Sequence, residues 1–329
     1  MATGSSSSSS TPSVDVDGFF AVPLSTFVPK TRLPFDLYSK IQERYILVRD
    51  SARLFELEEQ AALQALGTRD FFVKTQHQAQ YISYLEQQLT RLLKDPGVEA
   101  EQRASNCYDI GTLVSRQALA DPTSQQALEM VQEVIDTTIE LMCEKDATFT
   151  NFINCMQEDA DLYEHSMHVC LYGVGLARCI GIDDPKRLAE LGLALLFHDV
   201  GKVAMDRDFL AKSEPLTDDE WVEVYEHPLR GWERVAEVEG FGDVARDVIN
   251  NHHERLDGSG YPRGLSAEQL STEARIAGIV NSFDSQTTRR AHRPATNSCH
   301  ALTEMLQEKG AYDRQILTAF VKLLSGQPV

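Results

Sequence analysis

The chain has 329 residues, enough for two domains, and its 42% hydrophobic and 25% charged residues are typical of globular proteins. A formal net charge of −19 argues against a nucleic-acid-binding surface, which is normally basic, so we expect neither DNA nor RNA as a partner. Six scattered cysteines without a CxxC pair indicate a reducing compartment, and no apolar run reaches the roughly 18 residues of a membrane helix. These features predict a cytoplasmic protein without a membrane-spanning segment.

The first part of the chain predicts a small regulatory module behind a tail. Residues 1–17 contain a serine tract but neither a basic nor an apolar signal region, and they are predicted to be disordered. Residues 18–97 mix strand and helix patterns, which predicts a small α+β module. Its predicted strands are 18–30, 45–48 and 71–73, and its predicted helices are 55–66 and 76–94.

Strand patterns nearly disappear from about residue 98 onward. Residues 98–144 are predicted to be a helical linker, and residues 145–329 an all-helical domain. The fold class expected for the whole chain is therefore mainly α. The helices predicted from apolar spacing are 124–145, 161–179, 186–197, 243–251, 272–284 and 298–325.

Eight of the nine histidines fall in the helical part of the chain, and several of them lie beside acidic residues or each other. Imidazole and carboxylate groups are ligands of divalent transition metals, and adjacent pairs suit a two-metal centre. A single histidine is more often structural, but the combination makes chance improbable. His168 is not included, because its spacing from His165 arises on any amphipathic helix. The candidate ligands are His165, His198, Asp199, His227, His252 and His253.

The residues around these ligands resemble the two signature motifs of the HD-GYP family. The first is HDVGK at 198–202, and the second is HHERLDGSGYPRGL at 252–265. The likeness covers roughly residues 145–325 and implies the helical bundle of the HD superfamily. It also implies hydrolysis of cyclic di-GMP by a metal-bridging hydroxide, giving pGpG or GMP. Asp199 and Lys202 would be the catalytic residues.

The resemblance assigns the ligands to two divalent metals that share Asp199. Iron is the metal that the family generally favours, and manganese also works. The first metal would take His165, His198 and Asp199, and the second Asp199, His227, His252 and His253. The residues implied to bind substrate are Lys202, Tyr261, Arg290 and Arg293. Lys202 alternatively is a solvated lysine, and the two arginines part of a solvated basic cluster. The loop around Tyr261 is linked in the family to GGDEF-domain partners.

Two positions, Asn281 and Asp161, complicate this assignment. The family aspartate that completes the first metal site is replaced here by Asn281, a neutral and weaker ligand. Asp284 matches a second family aspartate, which we interpret as a structural or supporting group. Asp161 precedes His165 by four residues, and some relatives bind a third metal there. Asp161 is therefore a tentative ligand, with a solvated carboxylate as the alternative.

Three other functions remain open from the sequence. A cyclic di-GMP sensor would retain the pocket but turn over slowly because of Asn281. A phosphohydrolase of the wider HD superfamily would act on another nucleotide. A scaffold would use the N-terminal module and the helices at 76–145 to form a homodimer.

Overall fold

We describe the protein from a computed structural model. Its described residues are 18–42, 44–65, 70–95, 97–143, 149–156, 160–205, 217–289 and 295–326. Arg290 and Arg293 lie outside these residues. Contacts between Cα atoms divide the chain into two compact units, Met1–Asp109 and Ile110–Val329. In the described ranges, no helix combines the length and apolar character needed to cross a bilayer.

The first unit contains antiparallel strands and helices, as the sequence predicted. Its strands are β1 (Phe19–Pro23), β2 (Thr31–Arg32), β3 (Leu37–Ile41), β4 (Arg44–Arg49), β5 (Leu54–Phe55) and β6 (Asp70–Lys74). Four of them form a sheet in the order β1-β6-β3-β4, and β2 pairs with β5. The helices are α1 (Leu57–Gln64) and α2 (Gln78–Lys94). Phe71 and Val73 of β6 are fully buried, in the alternation expected of a strand with one covered face.

Two predicted boundaries in this unit were wrong. The strand predicted over 18–30 ends at Pro23, because a 3-10 turn follows in which the Thr26 hydroxyl donates to the Pro23 carbonyl at 2.7 Å. The helix predicted from residue 55 begins at Leu57, because Phe55 pairs with Thr31 in the second sheet.

The second unit is helical, which confirms the expected fold class. A long helix, α3 (Ala100–Ala120), spans the division between the units. The helices that follow in the described residues are α4 (Gln125–Cys143), α5 (Phe149–Cys155), α6 (Leu162–Cys179), α7 (Pro185–Leu196), α8 (Asp218–Val235), α9 (Asp243–Asn251), α10 (Thr272–Thr287), α11 (Ser298–Gln307) and α12 (Arg314–Leu324).

Several of these helices differ from the predicted ones. The single helix predicted over 298–325 is two helices, because Gly310 turns the chain with φ 88° and Asp313 caps the start of α12. Helix α8 was not predicted. It contains Pro228, and an internal proline normally marks the end of a helix.

Helix α6 lies at the centre of the second unit. Its residues from Tyr163 to Ala177 are buried without a break, and it packs against α7, α10 and α12. A helix that is covered on all sides belongs to the interior of a domain. The polar side chains of α6, among them His165 and His168, are therefore forced to find partners inside the protein.

Candidate metal centre

Asp199 is the centre of a buried cluster of histidines. It follows α7 directly, at the start of a 3-10 turn over Val200–Ala204, and it is 1% exposed. Its Oδ1 atom lies 3.1 Å from His227 Nε2 and 3.5 Å from His252 Nε2. Its Oδ2 atom lies 3.4 Å from His198 Nε2 and 3.6 Å from His165 Nε2. Four imidazoles therefore surround one carboxylate.

Different elements supply the members of this cluster. His165 lies in α6, His198 follows α7, and His227 lies in α8. His252 and His253 follow α9. Their possible ligand atoms form two groups that share Asp199, each with all atoms within 4.8 Å of one another. The first group holds His165, His198 and Asp199, and the second holds Asp199, His227, His252 and His253. The structure thus brings together all six candidate ligands named from the motifs.

Hydrogen bonds to backbone carbonyls fix the orientation of three of these rings. The Nδ1–H group of His198 donates to the Leu195 carbonyl at 2.6 Å. His227 donates in the same way to Val224 O at 2.5 Å, and His252 to Ile249 O at 2.9 Å. Because a carbonyl only accepts, Nδ1 carries the proton in each ring. In the neutral form of each ring, the Nε2 lone pair then faces Asp199, which is the state that binds a metal.

Asp284 fixes the fourth ring and also binds a histidine that the sequence reading left out. Its Oδ2 atom accepts from His165 Nδ1 at 2.6 Å, and its Oδ1 atom accepts from His168 Nδ1 at 2.8 Å. Burial alone would raise the pKa of Asp284, but the two imidazoles lower it below the ordinary value. The carboxylate stays charged and links α6 to α10. No local pattern indicated this contact, since His165 and Asp284 are 119 residues apart.

The cluster has the donor chemistry of a divalent-metal site. The Nε2 atoms of His227 and His252 are 3.1 Å apart, and those of His165 and His198 are 3.3 Å apart. Two lone pairs at such distances repel unless a cation lies between them. Between His227 and His252 a proton does not fill this role near neutral pH, because burial lowers the pKa of His252 to about 3 and lowers the pKa of His227. The arrangement therefore fits bound metal ions.

Two further observations on the same groups agree with this. Among the described residues, the buried His253 Nε2 atom has no hydrogen-bond partner. Burial opposes ionisation of Asp199, but Lys202 and the histidines lower its pKa well below the ordinary value. The centre thus offers one permanent carboxylate and several imidazoles, the ligand types that divalent transition metals prefer.

Lys202 and Tyr261 lie beside the cluster, where the sequence reading placed substrate contacts. The Lys202 ammonium is 2.8 Å from Asp199 Oδ2, and its side chain is 14% exposed. The Tyr261 ring stacks on His253 with centroids 4.4 Å apart and planes 19° apart. Arg290 and Arg293, the other two predicted contacts, lie outside the described residues.

The loop that carries Tyr261 is held by Glu254, a member of the second motif. The buried Glu254 carboxylate accepts from the backbone N–H groups of Arg263 at 2.7 Å and Leu265 at 2.9 Å. Gly260 approaches the backbone of residues 253–255 so closely that a Cβ atom would overlap it. These contacts position Tyr261 against His253, and its own N–H donates to the His253 carbonyl at 3.3 Å.

The two complicating positions have different surroundings. Asn281 is 2% exposed and lies in α10, one turn before Asp284. Asp161 belongs to neither ligand group. It is the N-cap of α6: one oxygen accepts from the N–H groups of Tyr163 and Glu164, and the other from Arg116 at 2.6 Å. This accounts for Asp161 through helix capping and an ion pair, so the geometry gives the tentative third-metal role no support.

Comparisons with known proteins agree with this description. A family model described as an HD domain matches residues 169–316. A cyclic di-GMP phosphodiesterase of Pseudomonas aeruginosa is 36% identical over 179 residues, which cover 54% of this chain and 43% of that protein. A 3′3′-cGAMP-specific phosphodiesterase of Vibrio cholerae is 33% identical over 165 residues, which cover 50% of this chain and 35% of that protein. The chain thus spans less than half the length of these two relatives.

A solved structure resembles the fold of this chain. It is that of an HDG"Y"P protein from Bdellovibrio bacteriovorus, with a TM-score of 0.71 and 20% sequence identity. The match covers 94% of this chain and 100% of the other. At this sequence identity, the likeness supports the fold alone.

Proposed function

We propose that the chain is a member of the HD-GYP branch of the HD domain family and a metal-dependent phosphodiesterase that hydrolyses cyclic di-GMP. The observation that carries this proposal is the convergence of four imidazole Nε2 atoms on the buried Asp199. Such a set of neutral and anionic ligands is suited to two adjacent divalent cations. Relatives that share this part of the chain are named cyclic di-GMP phosphodiesterases.

The residues of the site would bind either a metal or the phosphate of the substrate. His165, His198 and Asp199 would hold one metal, and Asp199, His227, His252 and His253 the other. Iron is the first candidate, with manganese next. Bound divalent cations supply positive charge that activates water and neutralises a phosphodiester. Lys202 lies at the edge of the centre, where its ammonium would bind a non-bridging phosphate oxygen and orient the bond to be cleaved. The product would be the linear dinucleotide pGpG.

A second substrate is supported by one observation. A relative that is 33% identical to this chain is named a 3′3′-cGAMP-specific phosphodiesterase. Cyclic di-GMP and 3′3′-cGAMP share the two phosphodiesters and differ in one purine. The metal centre would act on either, so the choice between them depends on residues that contact the bases.

The test is a hydrolysis assay on protein that is purified anaerobically and loaded with iron or manganese. Cyclic di-GMP and 3′3′-cGAMP are offered separately, with His252→Ala as the variant that lacks a ligand and His300→Ala as a control at an exposed histidine. We expect turnover by the wild type and by His300→Ala, and none by His252→Ala. Tight binding of cyclic di-GMP without turnover would instead identify a sensor. A wild-type protein that neither binds nor hydrolyses either dinucleotide would contradict the proposal.

A further inference from the structure

An exposed row of aromatic side chains leads away from the metal centre. Tyr261, which stacks on the candidate ligand His253, has its ring centroid 4.6 Å from that of Tyr225. Tyr225 in turn stacks on Trp221, one turn earlier in α8, at 5.6 Å and 30° between planes. We call Trp221, Tyr225 and Tyr261 the aromatic row. It forms a continuous path from His253 to the outer surface of α8.

The outer two rings are poorly explained as core residues. Trp221 is 43% exposed and Tyr225 is 45% exposed. Exposed aromatic rings that lie in contact with one another are typical of surfaces that bind a ligand or a partner. Both rings come from the helix that also carries His227, so their position is fixed relative to the metal centre. An occupant of the row would therefore be held at a defined distance from the reacting phosphate.

We propose that the aromatic row is a base-binding subsite, in which Tyr225 and Trp221 stack on a purine of the cyclic dinucleotide whose phosphodiester lies at the metal centre. The inference rests on the proposed function and adds the residues that recognise the nucleoside part of the substrate. A cyclic dinucleotide carries flat bases attached to its phosphates through one sugar each. With one phosphate bound near Asp199 and Lys202, a base has to lie a few ångströms outside the metal site, which is where the row begins.

The chemistry of the row matches a purine better than it matches a phosphate. Aromatic rings stack on nucleobases, and removal of one such ring weakens binding roughly tenfold or more. Helix α8 carries acidic side chains in its first turn, Asp218, Asp219 and Glu220, which would repel a phosphate but not a neutral base. Cations and Lys202 thus bind the phosphate of the dinucleotide, and the aromatic row binds one of its bases.

The deciding experiment compares the wild type, the double variant Trp221→Ala/Tyr225→Ala and the control Val222→Ala. Val222 is 53% exposed on the same helix but is not aromatic. We expect the double variant to raise KM for cyclic di-GMP about tenfold or more, with kcat within about threefold and unchanged metal content. Val222→Ala should match the wild type, and Trp221→Phe/Tyr225→Phe should restore KM to within about threefold, because phenylalanine also stacks.

Tryptophan fluorescence reports directly whether a base stacks on Trp221. Trp221 and Trp232 are the two tryptophans of the chain, so Trp232→Phe leaves Trp221 as the single fluorophore. Cyclic di-GMP should quench this fluorescence on mixing, and inorganic phosphate, which has no base, should not.

The possible results separate this inference from the proposed function. An unchanged KM in the double variant would overturn the inference while leaving the phosphodiesterase intact, and would assign the exposed aromatics to a protein partner. Loss of metal together with activity in the double variant would also overturn it, since the row would then be structural. A wild type that neither binds nor hydrolyses a cyclic dinucleotide would contradict the proposed function, and the inference with it.

Discussion

At the scale of single residues, the centre depends on histidines that are buried in their neutral form. In the metal-free protein, burial lowers the pKa of His252 to about 3, whereas an unfolded histidine titrates near 6.5. Between these values the unfolded chain binds a proton that the folded chain does not. The free energy of unfolding should therefore fall as the pH is lowered from about 6.5 toward 3, by up to about 1.4 kcal/mol per pH unit for this residue.

This pH dependence is measurable by urea unfolding of chelator-treated protein at pH 7, 6 and 5. His252→Gln should lose less stability on acidification than the wild type. His300→Gln is the matched control, because His300 is exposed and its replacement should leave the slope unchanged. Equal slopes in all three proteins would show that His252 does not titrate with a depressed pKa.

Asn281 is the residue at which this chain departs most clearly from the family pattern. It lies buried in α10 near Asp284, and it offers a neutral oxygen at the position where the family resemblance implies a carboxylate. Asn281→Asp should raise the affinity of the first metal about tenfold, because a negative charge is added beside the ion. Metal titration of the two proteins checks this, with Ser285→Ala as a charge-neutral control, since its hydroxyl lies 3.4 Å from Asn281 Oδ1. If the affinities of Asn281→Asp and the wild type agree, Asn281 is not a ligand.

At the scale of elements, the close approach of two segments positions His227. Gly201 lies in the 3-10 turn after Asp199, and a Cβ atom there would overlap the His227 carbonyl of α8. Gly201→Ala should therefore push α8 away, lowering the free energy of unfolding by about 1–3 kcal/mol. It should also weaken the second metal. Urea unfolding and metal analysis measure both effects.

The control for Gly201→Ala is Gly242→Ala at the start of α9, where a Cβ atom would meet nothing within 4 Å. We expect this change to cost less than about 1 kcal/mol and to leave the metal content unchanged. A Gly201→Ala protein as stable and as metal-rich as Gly242→Ala would contradict the packing argument.

Local motifs were easier to predict from the sequence than contacts between distant helices. The motifs around His198 and His252 contain four of the six candidate ligands, and both motifs are local, with adjacent residues and a fixed spacing. The contact of Asp284 with His165 and His168 was not predicted in detail, since it joins helices far apart in the chain. Asp161 was misjudged for a related reason: four-residue spacing suggested a shared helical face, but Asp161 is the cap before the helix begins.

At the scale of the whole molecule, the proposed function requires an acidic chain to bind an anion. The net charge of −19 does not favour a dinucleotide at long range. Near Asp199 the Lys202 ammonium offsets the charge of the carboxylate, and bound cations would make the centre positive. Activity should accordingly depend on metal occupancy more than on bulk electrostatics.

Metal analysis of four proteins shows directly whether two metal sites share Asp199. Anaerobically loaded wild type should carry about two divalent ions per chain, because two ligand groups meet at this residue. His165→Ala and His253→Ala each remove a ligand from one group and should retain about one ion. Asp199→Asn keeps the shape of the side chain but removes its charge from both groups, and it should lose nearly all metal. Two ions retained by Asp199→Asn, or none bound by the wild type, would contradict the account.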